Sequence, residues 1–341
     1  MKAVHVKAAG GTDQLVYGDW PDPVIGPDEV LVQVKAAGLN HADIWLRKGM
    51  LGPLPMVPGI DCSGVIADVG TDVPDIVKAG MRVVLNPSVT CGVCTHCLTG
   101  EHGSCRQRRA IGQFLDGSYA EYVKIPWMNV HQIPDSMPFE EAAAIPGALF
   151  TAWQLIVMRA KVIPSETVVV MAAGSGVGSA SVQVAKVAGA RVIATAGSDR
   201  KLDKARELGA DETINYSTED FAARVLELTN GEGAHVIIDT LGAEQWPDYL
   251  KCVRVGGRVV TCSFTTGRKP DLDIMTLMSK QISLIGSGGQ GSKPGIANVM
   301  KLIHQGHLRG VVDRTFPLKE AAAAQEAMED RAVIGKIILI P

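Results

Sequence analysis

The sequence predicts an α/β protein in which a doubly wound parallel-sheet domain is inserted into a β-rich domain. Between Asp135 and Gly286, helical patterns alternate with short apolar strands, which is typical of a parallel sheet covered on both faces. Before and after this region, short alternating strands are separated by proline- and glycine-rich turns, which favours a compact β-rich domain. We expect residues 1–148 and 286–341 to form the β-rich domain, and residues 149–285 to form the inserted domain.

The composition narrows the class of protein. The 341 residues are 46% hydrophobic and 20% charged, with a net charge of −3, so we expect a globular protein with a sizeable core. Basic clusters interleaved with aromatic residues are absent, which excludes a nucleic-acid footprint. We also see neither a signal-peptide core nor an apolar run of membrane length, and we expect a cytoplasmic protein that does not bind membranes.

A glycine-rich turn lies at the centre of the inserted domain. A β-branched run, Thr167–Met171, precedes it, a helical pattern covers Ser179–Val187, and another apolar strand follows at Arg191–Thr195. Such a turn lets a backbone approach a pyrophosphate, and the helix N-terminus offers N–H donors to it. The strict G-x-G-x-x-G pattern is not met, so an ordinary α/β turn is the alternative. The candidate dinucleotide-binding residues are Gly174, Ser175, Gly176, Val177 and Gly178.

The end of the second strand bears on which nucleotide binds. An NAD site usually has an acidic residue here for the ribose 2′-hydroxyl. Ser198 instead precedes Asp199, Arg200 and Lys201, and the two cations suit a 2′-phosphate. We therefore favour NADP over NAD. Asp199 is either the N-cap of the next helix, which we favour, or a displaced ribose ligand.

Four of the seven cysteines lie close together at about residues 88–108. Two-residue spacers bring neighbouring thiolates to one ion, and four thiolates complete a tetrahedral zinc site with no open position. We expect one structural zinc per chain, with a redox-labile cluster or a reduced, zinc-free loop as the alternatives. We expect His96 and His102, in the same loop, to be solvated. The ligands would be Cys91, Cys94, Cys97 and Cys105.

Together these features resemble the medium-chain dehydrogenase/reductase superfamily, which includes zinc-containing alcohol dehydrogenases and quinone oxidoreductases. The similarity covers nearly the whole chain and implies a Rossmann nucleotide domain inserted into a GroES-like catalytic domain. It is carried by Gly38-Leu39-Asn40-His41-Ala42-Asp43, Pro58-Gly59-Ile60-Asp61-Cys62-Ser63-Gly64, the four-cysteine loop, Ala173-Gly174-Ser175-Gly176-Val177-Gly178 and Ile214-Asn215-Tyr216.

The catalytic zinc ligands of the alcohol dehydrogenases are missing. Matched to the family motifs, the first Cys falls on Asn40, the His on Ile60 and the last Cys near Gly147. Asp61 keeps an acid where the motif has Glu, and a makeshift site with Cys62 and His41 is the alternative. Asn and Ile are poor zinc ligands, so the resemblance implies a pocket without catalytic metal.

The proton relay of the alcohol dehydrogenases is missing as well, because Ala42 and Trp45 occupy its positions. The remaining pattern is similar to the quinone oxidoreductase branch, which also has Asn in the first slot and Asp after Pro-Gly-x. We take Asn40, Asp43 and Asp61 as the candidate catalytic residues. The alternatives are that Asn40 bonds to the backbone, that Asp43 caps a helix beginning at Ala42, and that Trp45 belongs to the core.

The resemblance also implies that His41, Thr151 and Tyr216 contact the cofactor, although Tyr216 is alternatively a strand-end aromatic. We expect NADPH-dependent reduction of a small conjugated carbonyl, a quinone or an enone. The alternatives are an NAD(P)-dependent alcohol or aldehyde dehydrogenase and a nucleotide-binding protein with a structural role. A homodimer or homotetramer is expected, because the strand Ile282–Ile285 falls where family members join.

Overall fold

A computed structural model describes residues 1–288 and 292–341. The chain divides into two compact units. One consists of Met1–Gly147 and Gln290–Pro341, and the other of Ala148–Gly289. The first unit is rich in strands and the second alternates strands with helices, so the predicted fold class is confirmed.

The strands are, in chain order, β1 (Lys2–Val6), β2 (Leu15–Asp19), β3 (Glu29–Gly38), β4 (Asp61–Val69), β5 (Arg82–Leu85), β6 (Ser88–Val89), β7 (Arg109–Ala110), β8 (Tyr122–Pro126), β9 (Val130–Gln132), β10 (Thr167–Val170), β11 (Arg191–Ala196), β12 (Glu212–Asn215), β13 (Ala234–Asp239), β14 (Val253–Thr261), β15 (Ser283–Gly286), β16 (Val312–Pro317) and β17 (Lys336–Ile340).

The α-helices are α1 (His41–Arg47), α2 (Thr95–Leu98), α3 (Phe139–Ala143), α4 (Thr151–Trp153), α5 (Gly176–Val187), α6 (Asp199–Glu207), α7 (Phe221–Leu228), α8 (Trp246–Cys252), α9 (Ile274–Ser279), α10 (Lys293–His304) and α11 (Ala321–Glu329). Single 3₁₀ turns occur at Thr12–Gln14, His102–Ser104, Trp127–Asn129, Ala243–Gln245 and Leu318–Glu320.

The second unit contains a parallel sheet of six strands in the order β12-β11-β10-β13-β14-β15. This is the 3-2-1-4-5-6 order of a doubly wound dinucleotide-binding fold. The central strand β10 is a run of β-branched residues that is buried throughout, as expected for a strand covered by helices on both faces. The carboxyl end of β10 leads directly into the glycine-rich turn.

The first unit contains a seven-stranded sheet in the order β16-β17-β3-β4-β5-β9, with β8 paired to β3. Strand β3 alternates buried and half-buried residues, and its inward side chains Val30, Val32 and Val34 belong to the main core cluster of this unit. The carboxyl end of β3 lies beside the start of β4, where Gly38 pairs with Asp61. It also lies beside β17, where Gly38 pairs with Ile338.

The segment Phe139–Met158 has a helical sequence pattern, but it is not a regular α-helix. It is broken after α3 and continues as π-helical turns at Pro146–Phe150 and Gln154–Arg159, in part because Pro146 lacks a backbone N–H. Contrary to the sequence-based expectation, the whole 21-residue stretch is long and apolar enough to cross a membrane. However, 67% of its apolar window is buried inside the protein, as in a core helix.

Candidate functional site

The glycine-rich turn forms a cradle at the N-terminus of α5. The Ser175 Oγ accepts a 3.0 Å hydrogen bond from the backbone N–H of Gly178 and so caps the helix. A Cβ on Gly178 would lie 2.1 Å from the carbonyl oxygen of Ala172, so only glycine lets the helix pack this close to the strand. Within the described chain, the N–H groups of Gly176 and Val177 have no acceptor, as expected at an anion-binding helix end.

A group of polar and basic side chains lies at the carboxyl end of β11. Ser198 is the N-cap of α6, and Arg200 and Lys201 lie in its first turn. The aliphatic stem of Lys201 lies over the glycine turn, because a Cβ on Gly174 would be 2.7 Å from its Cγ and Cδ. Tyr216 is 39% exposed, and its ring lies against Gly197 at the end of the same strand.

The interpretation of Asp199 as an N-cap is wrong. Ser198 holds that position, and Asp199 is the first residue of α6. The Asp199 Oδ1 accepts a 2.9 Å hydrogen bond from the side-chain amide of Asn215, which lies at the end of β12. The carboxylate therefore links two strand ends and still stabilises the helix through its dipole.

Two further candidate cofactor residues lie in different units. Thr151 is the half-buried first residue of α4 in the nucleotide unit. His41 is the half-buried first residue of α1 in the β-rich unit. Burial, and next the charge of Lys336, lower the pKa of His41 to about 4. His41 is therefore neutral at pH 7 and presents an imidazole, not a cation, to any ligand.

Asn40 and Asp43 are tied together at the start of α1. The helix begins at His41, one residue before the start given in the alternative interpretation of Asp43, and Asn40 is its N-cap. The Asp43 Oδ2 accepts a 2.8 Å hydrogen bond from the backbone N–H of Asn40. Its carboxylate also accepts bonds from the N–H of Gly59 and the hydroxyl of Tyr119, each at 3.1 Å.

Asp43 is completely buried. Burial is the largest influence on its carboxyl group and raises its pKa to about 7, although the hydrogen bond from Asn40 acts in the opposite direction. Its carboxylate accepts from two backbone amides and one phenol hydroxyl of the protein. The Asp43 side chain is thus well placed to hold the loop around Asn40, and of these two residues only Asn40 is partly exposed.

Lys336, which the sequence analysis missed, lies among the candidate catalytic residues. Its Nζ donates to the carbonyl oxygen of Leu39 and to Oδ1 of Asn40, both at 2.6 Å, and lies 2.9 Å from Oδ2 of Asp61. The Lys336 side chain is 4% exposed and that of Asp61 is fully buried. The only sequence signal was a lysine at the start of the otherwise apolar strand Lys-Ile-Ile-Leu-Ile.

Gly147 contacts the carboxylate oxygen of Asp61 that Lys336 does not pair with. Its backbone N–H donates a 2.7 Å hydrogen bond to Oδ1 of Asp61. A Cβ on Gly147 would lie 2.5 Å from Oδ1 of Asn40 and 2.8 Å from Oδ2 of Asp61. Asn40, Asp61, Gly147 and Lys336 therefore form one packed cluster at the carboxyl end of β3.

These residues do not fit a catalytic zinc. Zinc in enzymes takes Cys, His or carboxylate ligands, and here an amide, an isoleucine and a glycine stand at the three family positions. Asp61 remains, but the ammonium of Lys336 lies against it. Cys62 next to it is buried, which raises the pKa of its thiol well above the usual range and disfavours the thiolate that binds metal.

The four-cysteine loop has the geometry of a closed metal site. The Sγ atoms of Cys91, Cys94, Cys97 and Cys105 all lie within 4.8 Å of one another. Backbone N–H groups of Val93 and Cys94 lower the pKa of Cys91 to about 6, which favours a thiolate there. A zinc ion at about 2.3 Å from each sulfur fits such a cluster.

The two histidines of the loop stay out of the metal cluster, but they differ in exposure. His96 is 42% exposed and pairs with Glu101 at 3.2 Å, in keeping with the prediction. His102 is half-buried, and its Nδ1 lies 3.1 Å from the carbonyl oxygen of Gly100. His102 is therefore only partly solvated.

Comparison with known proteins places both units in one family. Residues 26–135 match the alcohol dehydrogenase GroES-like domain, and residues 176–305 match the zinc-binding dehydrogenase domain. A zinc-type alcohol dehydrogenase-like protein of Schizosaccharomyces pombe is 33% identical over 340 residues, with 96% of each chain covered. A quinone oxidoreductase of Pseudomonas aeruginosa is 30% identical, covering 100% of this chain and 99% of its own.

A solved structure shares the whole architecture. The crystal structure of an NAD-dependent alcohol dehydrogenase superposes with a TM-score of 0.96 at 42% sequence identity, and all of both chains is covered. The relatives and the structure are oxidoreductases, and the glycine turn of this chain fits a pyridine nucleotide. The chain therefore belongs to the medium-chain dehydrogenase/reductase superfamily and is an oxidoreductase of that type.

Proposed function

We propose that this protein reduces a conjugated carbonyl, a quinone or an enone, with NADPH and without a catalytic metal. The observation that carries the proposal is the cluster at the carboxyl end of β3. Where a zinc-dependent dehydrogenase needs three ligands, this chain has a hydrogen-bonding amide, an isoleucine and a glycine that leaves no room for a side chain. The similarity to a named quinone oxidoreductase agrees with this reading.

Asn40 is the best candidate to stabilise the developing negative charge on the substrate oxygen. Its Nδ2 donates to the carbonyl oxygen of Gly38 at 3.1 Å, and no described residue accepts the second hydrogen of that amide. Asn40 is half-buried, and in this proposal the remaining N–H faces the substrate. A fixed donor of this kind stabilises an oxyanion without a metal.

Asp43 and Asp61 support Asn40 in this proposal rather than touching the substrate. Asp43 holds the backbone of Asn40, and Asp61 holds the backbone N–H of Gly147 beside it. The nicotinamide, when bound, supplies the hydride. A conjugated acceptor spreads the incoming charge over several atoms, so one well-placed hydrogen bond suffices until water delivers the proton.

For the nucleotide, we propose NADPH over NADH. Arg200 and Lys201 support this choice, because these two cations follow a strand that ends in small neutral residues. Ser198 and Tyr216 lie beside them. A 2′-phosphate pairs well with such cations. The pyrophosphate would lie at the N-terminus of α5, and His41 and Thr151 would contact the nucleotide from their own units.

Further parts of the proposal are one structural zinc per chain and a homodimer or homotetramer. The four thiols of the four-cysteine loop support the structural zinc. The second is supported by β15, an edge strand of the nucleotide sheet, and by the neighbouring Met275 and Met278, which are 73% and 69% exposed. Light scattering of the purified protein measures its subunit number.

The location is a separate part of the proposal. The seven cysteines are all unpaired, which agrees with a cytoplasmic location.

A panel of substrates tests the reaction. NADPH consumption should be clear with 1,4-benzoquinone or 2-cyclohexenone, whereas primary alcohols should give little NADP reduction. Activity should survive a chelator too weak to remove zinc from four cysteines. Robust alcohol oxidation that the same chelator abolishes would overturn the proposal.

An alcohol or aldehyde dehydrogenase is the second candidate. It is favoured by the names of the similar proteins, two of which are described as alcohol dehydrogenases or like them. It requires a second metal ion per chain, or another way to form the alkoxide. The same panel, combined with metal analysis of a never-chelated sample, separates the two candidates.

A further inference from the structure

We infer that Lys336 is a positioning residue that fixes the orientation of the Asn40 side chain, so that its free N–H faces the substrate. This inference rests on the proposed function of Asn40. It comes from the contacts of a buried lysine that lies among the candidate catalytic residues. Lys336 is the first residue of β17, in the same unit as Asn40.

The ammonium group of Lys336 donates two hydrogen bonds and makes one ion pair, and so contacts three oxygen atoms. They belong to the Leu39 carbonyl, the Asn40 amide and the Asp61 carboxylate, at 2.6, 2.6 and 2.9 Å. A lysine offers three donors and no acceptor. Since the side chain is 4% exposed, these oxygens replace nearly all of its water.

These contacts leave the Asn40 amide only one good orientation. The oxygen of the amide accepts from Lys336, and its nitrogen donates to the carbonyl oxygen of Gly38. If the amide turned over, its NH₂ group would face the ammonium donor, and its oxygen would face the Gly38 carbonyl. Both hydrogen bonds would become repulsive contacts. Lys336 and Gly38 together therefore decide where the second N–H points.

Asp61 keeps the lysine in place. Its two oxygens are divided between Lys336 and the backbone N–H of Gly147. A buried carboxylate and a buried ammonium each need the other, because either one alone would be an uncompensated charge. The ion pair therefore holds the Lys336 ammonium in position, and the ammonium in turn orients the Asn40 amide.

The key experiment compares Lys336→Met with the double variant Lys336→Met/Asp61→Asn. The single variant leaves Asp61 as a buried, unpaired charge and is at risk of not folding. The double variant removes both charges and keeps an oxygen for the N–H of Gly147. Turnover is measured with 2-cyclohexenone or 1,4-benzoquinone at saturating NADPH, so that a change in nucleotide affinity does not enter.

We expect kcat to fall tenfold or more in the double variant, with a smaller change in KM. If Lys336 only neutralises Asp61, the double variant recovers and its kcat lies within twofold of the wild type, which overturns the inference. A further control is Asn40→Ala. Adding Lys336→Met/Asp61→Asn to it should cost little more, because Lys336 acts through the amide that is already gone. Additive losses would also overturn the inference.

A measurement without substrate keeps this inference separate from the proposed function. The side-chain amide of Asn40 gives a pair of ¹⁵N–¹H signals, which Asn40→Ala identifies by their loss. We expect these signals to shift or broaden in the double variant, because the amide no longer has a single orientation. Unchanged signals overturn the inference even if the enzyme is active. A wild type inactive on every conjugated carbonyl, with signals that still respond to Lys336, overturns only the proposed function.

Discussion

Gly147 donates its backbone N–H to the Asp61 carboxylate at 2.7 Å, while a side chain on Gly147 would meet the same carboxylate at 2.8 Å. We therefore predict that Gly147→Ala lowers the free energy of unfolding by about 1–3 kcal/mol, the usual cost of overpacking. The added methyl group also meets Oδ1 of Asn40, so kcat with a conjugated carbonyl should fall.

Thermal unfolding and steady-state kinetics of Gly147→Ala check this prediction. The control is Gly18→Ala in β2, where a Cβ would have nothing within 4 Å. The control should keep wild-type stability and activity. Equal behaviour of the two variants would show that Gly147 is not constrained by its neighbours.

Asp43 predicts a pH dependence of stability. Burial raises its pKa from the ordinary value of 3.8 to about 7, so the folded protein holds this proton more tightly than the unfolded chain does. The resulting stabilisation is complete below about pH 4 and is lost as the pH rises through 7. Asp43→Asn lacks this titration. Its stability relative to the wild type should therefore improve as the pH rises from 4 to 7.

Melting temperatures of both proteins across this pH range provide the measurement. Other groups, including His41, titrate in both proteins and cancel in the difference. A difference in stability that stays constant between pH 4 and pH 7 would contradict the pKa of Asp43.

For the cysteine loop, we predict one zinc per chain in a sample that was never chelated. Cys97→Ser should lose the metal and lower the melting temperature, because a closed four-thiolate site contributes to folding. Whatever folds should still transfer hydride. Cys262→Ser, outside the loop, should keep its zinc. Elemental analysis that returns about two zinc ions per chain would favour a second, catalytic metal.

For the nucleotide, we predict that Arg200→Ala raises the Kd for NADPH by roughly tenfold or more and leaves that for NADH almost unchanged. A charge-assisted hydrogen bond of about 1.5–3 kcal/mol is lost only with the 2′-phosphate. Arg206→Ala on the same helix is the control, because Arg206 pairs with Asp203 and Thr213 instead. Titration calorimetry gives both constants. An equal loss for the two nucleotides, or tighter wild-type binding of NADH, would contradict the assignment.

The sequence predicted the nucleotide unit well because its elements carry local signals. Strand β10 is a β-branched run, and the glycine turn and the capping Ser175 follow it directly. The break at Pro146 and the position of Asp199 were misread. Asp199 differs by a single position at the start of α6, whereas the segment around Pro146 changes its type of helix inside an otherwise helical pattern.

Only part of the candidate catalytic site could be predicted from the sequence, because one of its residues comes from a distant part of the chain. Asn40, Asp61 and Gly147 were found through motifs, but Lys336 is 296 residues from Asn40. A lysine in an apolar strand gives no hint of its partners until the antiparallel pairing of β17 with β3 brings them together. No local pattern encodes such a contact.

The crowding around Gly147 also has an evolutionary consequence. Because its Cβ would lie 2.5 Å from Oδ1 of Asn40 and 2.8 Å from Oδ2 of Asp61, Gly147→Cys by itself introduces a clash before it provides a ligand. Asn40→Cys first shortens the opposing side chain, although it also removes one acceptor of Lys336. The two substitutions therefore have unequal costs in the two possible orders. A lineage that moves between metal-free and metal-dependent chemistry in this pocket would pass through position 40 before position 147.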